Sequence, residues 1–484
     1  MTDQSSGQGL GPRLIAPFAE HGGGALRGLD HAGRASPLGG RFGRMFPDLA
    51  PHTDAPGTLE ALAASMFPGA PVVATEAAPI LEPGENPDLS AGYTYLGQFI
   101  DHDITYDPLS SLERQNDPAG LATYRTPRFD LDSLYGSGPV ATPYLYDQGD
   151  PVKLLVGHNS GDDEEPDDLP RNQQGRAIVT DPRNDVHVII AQLHLVFIRF
   201  HNAVVDHLRD RFFPAEGLFS EAQRLTRWHY QWVVVEDFLR RLVAADVVDD
   251  ILGPDPATGA RRVTTRFYRW EEEPFIPVEF SVAAFRVGHS QVRSRYRLSA
   301  GGELIHILVP TLDPHPLEHL GGFRPLPRGW RIEWDLFFPM GEVTPQLSRR
   351  IDTKLTGPFA RLPLAVDPGR RSLALLDLLR ARALGLPSGQ AVARAMGTGV
   401  PDGELGLGGE VPLWYYVLRE AEVLNEGRRL GPTGGRIVAE VLLGMLAADP
   451  ASFLHAAPAW EPELPAERPG HFTMVDLLHI AGGS

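Results

Sequence analysis

Tyr95-Leu96-Gly97-Gln98-Phe99-Ile100-Asp101-His102-Asp103 is the stretch from which the fold is read. A His stands between two Asp, with a Gln four residues before it, in an otherwise apolar run. Buried polar side chains are costly unless they are paired or bind something. Four of them within six positions mark either a binding site or a solvated helix end capped by Asp. The rest of the chain has to decide between the two.

Composition narrows the choice. The 484 residues suffice for one large domain or two or three ordinary ones. The 42% apolar content is that of a globular protein. A net charge of −18 argues against nucleic acid and anionic membrane surfaces as partners. No apolar run is expected to serve as a transmembrane segment. The stretch Met1-Thr2-Asp3-Gln4-Ser5 has neither the basic nor the apolar region of a signal peptide. The chain has no cysteine, so disulfides, Cys-ligated zinc, iron–sulfur clusters and thiolate nucleophiles are excluded. Any redox chemistry must come from a cofactor. These features together favour a bacterial cytoplasmic protein, with non-classical secretion as the alternative.

Residues 1–40, rich in Gly, Ser and Pro, read as an irregular arm, and 41–484 as one domain. Residues 41–90 carry little periodic pattern. A short helix is expected over 92–106 and a loop over 120–145. The acidic run Asp162-Asp163-Glu164-Glu165-Pro166-Asp167-Asp168 reads as a solvated loop. Residues 187–211 are apolar on most faces, as in a central buried helix. A helix over 220–245 opens on Ser220 and Gln223, a capping-box pattern. Further helices are expected over 278–291, 371–384, 411–426 and 433–447, the last after the breaker Gly431-Pro432. Alternating strands are scarce. The fold class is therefore mostly α-helical, one domain with long loops and little β-structure, and without internal repeats.

The chain lacks His-Glu-x-x-His, Gly-x-Ser-x-Gly and the Walker A loop. The glycines of 403–409 follow no strand, which argues against a nucleotide fingerprint. Three other segments stand out. Thr126-Pro127-Arg128-Phe129-Asp130-Leu131-Asp132-Ser133, running on to Tyr135-Gly136-Ser137, is either a hard-oxygen Ca2+ loop or a set of Asx turns. Asp181-Pro182-Arg183-Asn184-Asp185 leads into the buried helix. Its Arg183 is either a surface ion pair or an anion clamp. In Phe285-Arg286-Val287-Gly288-His289, the His is either a satisfied core residue or a ligand, with Gly288 letting a flat group approach.

Taken together, these segments resemble the animal-type haem peroxidases of the peroxidase–cyclooxygenase superfamily. The resemblance covers about residues 40–480. The distal motif Gly-Gln-Phe-x-Asp-His-Asp appears as Gly97 to Asp103, and the calcium loop ending in Tyr-Gly-Ser as 126–137. The catalytic Arg segment with Leu-His-x-x-x-x-Arg-x-His-Asn appears as Arg183, then Leu193-His194 to Arg199, His201-Asn202. The proximal Arg-x-Gly-His appears as Arg286 to His289. A Leu-Asn-x-x-Arg-x-Arg segment appears as Leu376-Asp377 to Arg380-Ala381-Arg382.

The resemblance implies a b-type haem in a helical core and reduction of H2O2 at the expense of a small-molecule or halide donor. His289 would be the axial ligand and His102 the distal proton shuttle. Arg183 would stabilise developing charge, and Gln98 would hydrogen-bond water or halide. Arg286 and Arg380 would pair with the propionates. Asp103, Thr126, Arg128 (through its carbonyl), Asp130 and Asp132 would hold Ca2+. The chain departs from the mammalian pattern at two points. Val186 and His187 stand where mammalian members link to haem by Glu and, in one member, Met, so Asp101 alone could form an ester. Asp377 replaces the usual Asn beside the proximal His. Arg286 stands where cyclooxygenases carry their radical Tyr, which counts against that chemistry. The alternatives are a haem-dependent fatty-acid dioxygenase and a non-catalytic haem-binding adhesion or scaffold protein. The chain has no Arg-Gly-Asp to support the last.

Overall fold

Helix Ala91–Ile104 carries the motif, and the chain around it explains its placement. Strand Glu85–Ser90 pairs antiparallel with Leu347–Arg349 and runs directly into the helix. The first helical N–H groups have no partner within a helix. Here the Ala91 and Gly92 N–H groups donate to the carbonyls of Gln346 (2.7 Å) and Phe337 (2.9 Å). Gly92 is obligatory, because a Cβ there would lie 2.4 Å from the Phe338 ring. The helix ends at Thr105, whose hydroxyl and N–H both donate to the Asp101 carbonyl. The structure, a computed structural model, describes residues 40–55, 57–67, 84–106, 122–123, 125–158, 167–255, 261–270, 273–309, 315–362 and 371–482. Apart from Gly40, the expected 1–40 arm falls outside the described residues, as does most of the acidic run 162–168.

Helix Val188–Asp210 is the centre of the molecule, with 16 buried residues, and packs against both Ala91–Ile104 and Leu218–Trp232. Phe99 of the motif helix stacks on Phe197 at 4.3 Å and 5°. Such a pair contributes roughly 0.5–1.5 kcal/mol beyond area burial. By length and composition Val188–Asp210 could cross a membrane, contrary to the sequence expectation. Because 83% of its most apolar window is buried inside the protein, it is accounted for as a core helix. Helices Leu373–Ala383, Leu413–Asn425 and Pro432–Ala448 match their expected ranges closely. One apolar cluster runs through nearly all of these elements. Among the described residues the strands are short: a three-stranded sheet centred on Gly40–Gly43 and three two-stranded ribbons.

Several expectations are corrected. The helix expected from Ser220 begins at Leu218, after Gly217 in the left-handed region (φ 80–90° being open to glycine), so Ser220 is not its cap. It continues through a π-helical stretch, Val233–Leu239. The helix expected over 278–291 is broken. A wide turn at Phe280–Ala284 is closed by Phe285 N–H donating to Phe280 O, and tight three-residue bonds follow at Arg286, His289 and Ser290. Only Gly288–Gln291 is then α-helical. Wide turns of this kind gather at functional sites. Helices at Thr58–Ser65, Asp132–Tyr135, Gly138–Ala141, Ala245–Ile251, Gly389–Met396 and Met474–Ile480 were not foreseen. They are short and owe their stability to packing rather than to periodicity.

Candidate active site

Gln98, Asp101 and His102 are spaced i, i+3 and i+4, so they share one face of helix Ala91–Ile104. Opposite them, the turn Pro182–Asp185 is pinned by Asp181, whose carboxylate accepts the Arg183 N–H at 2.9 Å. Asp181 is fully buried and also takes Arg183 Nε (3.1 Å) and Nη2 (2.8 Å), with Arg125 Nη2 at 3.2 Å. Burial alone would raise its pKa. The Arg183 charge and hydrogen bonds outweigh burial and hold it at about 2. Arg183 Nη2 also donates to the His102 carbonyl (3.0 Å) and to that of Thr105. The guanidinium lies 4.8 Å over the Tyr106 ring. Five contacts thus fix a cation beside His102, one partner being the buried Asp181.

His102 is buried. Its Nδ1 is 2.8 Å from Asn184 Oδ1, while Asn184 Nδ2 donates to His194 Nδ1 at 2.9 Å. In this arrangement His102 carries its proton on Nδ1 and has its lone pair on Nε2, which makes no hydrogen bond among the described residues. Burial, reinforced by the Arg183 charge, lowers its pKa to about 3. Gln98 Oε1 is 2.8 Å from His187 Nε2. Asp181, Asn184 and His194 were quoted in the sequence without being given roles. The signal for Asp181 and Asn184 was proximity to Arg183; the contact of Asn184 with His194 has none in the sequence.

On the other side, His289 Nδ1 donates to Asp377 Oδ2 at 2.6 Å, and Arg286 Nη1 donates to Asp377 Oδ1 at 2.9 Å. Helix Leu373–Ala383 brings Asp377 there, capped by Ser372, whose hydroxyl accepts the Leu375 N–H. Asp377 is buried, which would raise its pKa. The charges of His289 and Arg286 overcome this and hold it below the usual carboxylate value. Arg286 is thus committed at one end to Asp377 and, through Nε, to the Ser281 carbonyl. Arg380 is half-buried on the same helix, one turn beyond Asp377.

The two sides face one another. Helix Ala91–Ile104 packs against Gly288–Gln291. Asp101 sits deep in the fold; burial raises its pKa, and the charges of Arg183, Arg286 and His289 all lower it. Yet 36% of its side chain is accessible, as are 28% of Arg183 and 31% each of Arg286 and His289. These four side chains therefore stay partly accessible between the two packed elements. Nothing lies within 4 Å of where a Cβ of Gly288 would be. Imidazoles on both sides with open Nε2 atoms, and arginines for carboxylates, fit a haem.

Behind His102 lies a second cluster. Ligand atoms of Asp103, Asp130 and Asp132 lie within 4.8 Å of one another. Asp103 is fully buried, and its Oδ1 has no hydrogen-bond partner. Burial, then repulsion from Asp130 and Asp132, raise its pKa well above normal. Burial likewise raises Asp132 to about 7, although Arg125 opposes it. An unsatisfied carboxylate oxygen among like charges fits a divalent cation. Thr126 donates its hydroxyl to Asp130 Oδ2 at 2.7 Å, so it stands at the cluster. The Arg128 side chain is used on Glu273 (2.9 Å) and Asp449, leaving its carbonyl for the loop.

Comparison with known proteins agrees. The sequence model of the animal haem peroxidases matches residues 110–402, a span that holds Arg183, His289 and Asp377 and starts after the distal segment. Thyroid peroxidase of Sus scrofa is 26% identical over 217 residues, 41% of this chain and 20% of that protein. The chain thus spans about a fifth of the length of that curated relative. Peroxidase A of Dictyostelium discoideum shares the fold, with a TM-score of 0.60 and 15% identity over 86% of this chain and 88% of that one. A fatty acid alpha-dioxygenase of Arabidopsis thaliana does so at a TM-score of 0.55 and 18% identity, over 90% and 75% of the two chains. With the family match spanning more than half its length, this chain belongs to the animal haem peroxidases.

Proposed function

We propose that this protein is a haem peroxidase that reduces H2O2 and oxidises a small donor, phenolic or otherwise organic, or a halide or thiocyanate. The observation that carries the reading is the pair His102 and His289 on two elements packed together, each with Nδ1 held by the protein and no hydrogen bond at Nε2 among the described residues. A b-type haem would be held by His289 Nε2, with Arg286 and Arg380 toward its propionates. When bound, it supplies the iron that takes up the oxidising equivalents of the peroxide and passes them to the donor.

The protein's part is proton and charge management. His102 Nε2 takes a proton from one peroxide oxygen and returns it to the other as the O–O bond breaks. Its depressed pKa keeps it in the neutral, accepting state. Arg183, held by Asp181, steadies the negative charge on the departing oxygen. Asp101, whose carboxylate stays 36% accessible, would be the group to form an ester with haem. One Ca2+ at Asp103, Asp130 and Asp132, completed by Thr126 and the Arg128 carbonyl, would fix the residue that follows His102.

The test is an H2O2-dependent assay on haem-loaded protein with a phenolic donor, then with bromide, iodide and thiocyanate. A Soret band and peroxide-dependent turnover are expected. Absence of haem uptake, or of turnover with every donor, refutes the reading. A fatty-acid dioxygenase would consume O2 with fatty acid in the absence of peroxide. The shared fold keeps that as the second reading. Arg286, paired to Asp377 where cyclooxygenases carry a radical Tyr, weighs against it.

A further inference from the structure

The central helix starts in an unusual way. Its cap is His187, with φ −155° and ψ 160°, rather than the Ser, Thr, Asp or Asn that usually serve. His187 Nδ1 accepts the Ile190 N–H at 3.2 Å. A ring nitrogen that accepts carries no proton. Burial lowers the ring's pKa to about 3, so the ring is neutral and its one proton sits on Nε2. Nε2–H therefore donates to the group 2.8 Å away, the Gln98 side chain. Only an oxygen can accept there, which settles which end of the Gln98 amide is tied. The NH2 end has no hydrogen-bond partner among the described residues, and it stands one helical turn from His102 on the same face.

The support behind His187 is rigid. Its backbone bridges to Gly321, and Val188 N–H donates to Leu320 O at 2.8 Å. A Cβ on Gly322 would fall 1.9 Å from the Asp185 carbonyl, so this crossing admits only glycine. The Tyr95 ring meets the imidazole edge-on at 5.1 Å and 66°. The His187 ring is thus held at both nitrogens and its backbone by the neighbouring segment.

We infer that His187 is a positioning residue: through Gln98 it gives the distal space a fixed hydrogen-bond donor one helical turn from His102 and its unprotonated Nε2. This deepens the peroxidase reading and rests on it. A glutamine left alone turns its oxygen or its NH2 inward with similar ease. The oxygen would repel an anion or a peroxide oxygen, whereas the NH2 binds it. His187 removes the repelling state. The ligand class so selected is the small electron-rich one: a halide, or the oxygen of H2O2.

The probe is fluoride binding to the ferric haem-loaded protein, followed by the Soret shift. The variants are His187→Asn, Gln98→Leu and both together. Asn keeps a side-chain oxygen to cap the helix and is too short to reach Gln98. Loss of one hydrogen bond to a charged acceptor should weaken fluoride by about 10-fold or more in each single variant. The double variant should be no weaker than either single one, because both act through one donor. Fluoride binding at wild-type strength in His187→Asn, with a normal Soret band and melting temperature, overturns the inference. So does a double variant in which the two losses multiply. A second measurement does not depend on His187→Asn folding. In the diamagnetic ferrous carbonyl form, 15N spectra of labelled histidine should show His187 protonated on Nε2. Its signal is identified by its loss in whichever of His187→Asn and His187→Gln folds. Protonation on Nδ1 overturns the inference. Failure to take up haem at all overturns the peroxidase reading, and this inference falls with it. A normal Soret band combined with any of the other contrary results overturns this inference alone.

Discussion

Asp377 Oδ2 stands 2.6 Å from His289 Nδ1, and the other oxygen of the same carboxylate is held by Arg286. The imidazole therefore shares its proton with a buried anion, and that anion is partly neutralised by a cation that does not itself touch the ring. The arrangement is a graded one. Asp377 pushes electron density toward His289 Nε2, and Arg286 limits how far.

Asp377→Asn should keep the hydrogen bond and lose the charge. An anionic partner favours the ferric state, so the Fe(III)/Fe(II) potential should rise. Each tenfold loss of that preference is worth about 59 mV for a one-electron couple. Arg286→Leu should lower the potential, since it frees the carboxylate charge. Spectroelectrochemical titration of both variants checks the pair of opposite shifts. Shifts of the same sign would show that Arg286 does not act through Asp377.

The distal side predicts a pH profile. Burial and the neighbouring Arg183 charge place the His102 pKa at about 3. Protonation at Nε2 removes the acceptor, so the rate of reaction with H2O2 should stay flat through pH 6–7 and fall only toward pH 3. An unshifted imidazole would give an inflection near 6.5. His102→Ala should slow this step by about 10²–10⁴-fold and abolish the acid limb. Asn184→Leu should reproduce part of the His102→Ala defect, because His102 Nδ1 loses its partner while the ring remains. Stopped-flow rates across the pH range decide, and an acid limb centred near 6.5 in the wild type would refute the assignment.

Much of this site was legible because its residues lie close together in sequence. Gln98, Asp101 and His102 form one helical face, and Arg286 and His289 one turn. The Asp377 contact with His289 was also foreseen, since a carboxylate stood in the usual place of Asn. What could not be read was who restrains whom. Asp181 holds Arg183 through a turn, and Asn184 bridges to His194 along the helix start. His187 reaches Gln98 across 89 residues. These depend on side-chain direction, which sequence periodicity does not encode. The break of the expected helix 278–291 has the same origin: residues 280–289 are apolar enough for a helix, and only the wide turn at Phe280–Ala284 re-aims the chain.

Metal analysis of the purified protein should find about one Ca2+ per chain, the number one oxygen-rich loop holds. Asp103 Oδ1 is the atom that would suffer most without it. Chelation should therefore lower the melting temperature and the H2O2 rate together, since Asp103 adjoins His102. Asp130→Ala should mimic chelation and be insensitive to added Ca2+. A chelated protein with unchanged melting and rate would remove calcium from the account.

Asp181 makes the last prediction, on acid stability. Its folded pKa of about 2 lies below its ordinary value of 3.8, because Arg183 and the other positive neighbours outweigh burial. Between those values the unfolded chain binds a proton that the folded chain does not. The stabilisation is therefore present above about pH 4 and is lost as pH falls through about 2. Nearly two pKa units correspond to about 2 kcal/mol, a figure that Arg183's partial exposure tends to reduce. Asp181→Asn should lose this stabilisation at neutral pH and also leave Arg125 and Arg183 without their shared anion. Breaking such a pair costs about 3–5 kcal/mol when fully buried. The stability gap between wild type and Asp181→Asn should thus be widest near pH 7 and narrow toward pH 2. His102 titrates in both chains, but the Asp181 charge raises its pKa, so part of the gap is carried through His102. The same variant should slow the H2O2 reaction, because two of the five contacts that fix the Arg183 guanidinium lose their anionic partner. Denaturant titrations from pH 2 to pH 7 measure the gap. If it does not change with pH, Asp181 is not the ionised partner of Arg183.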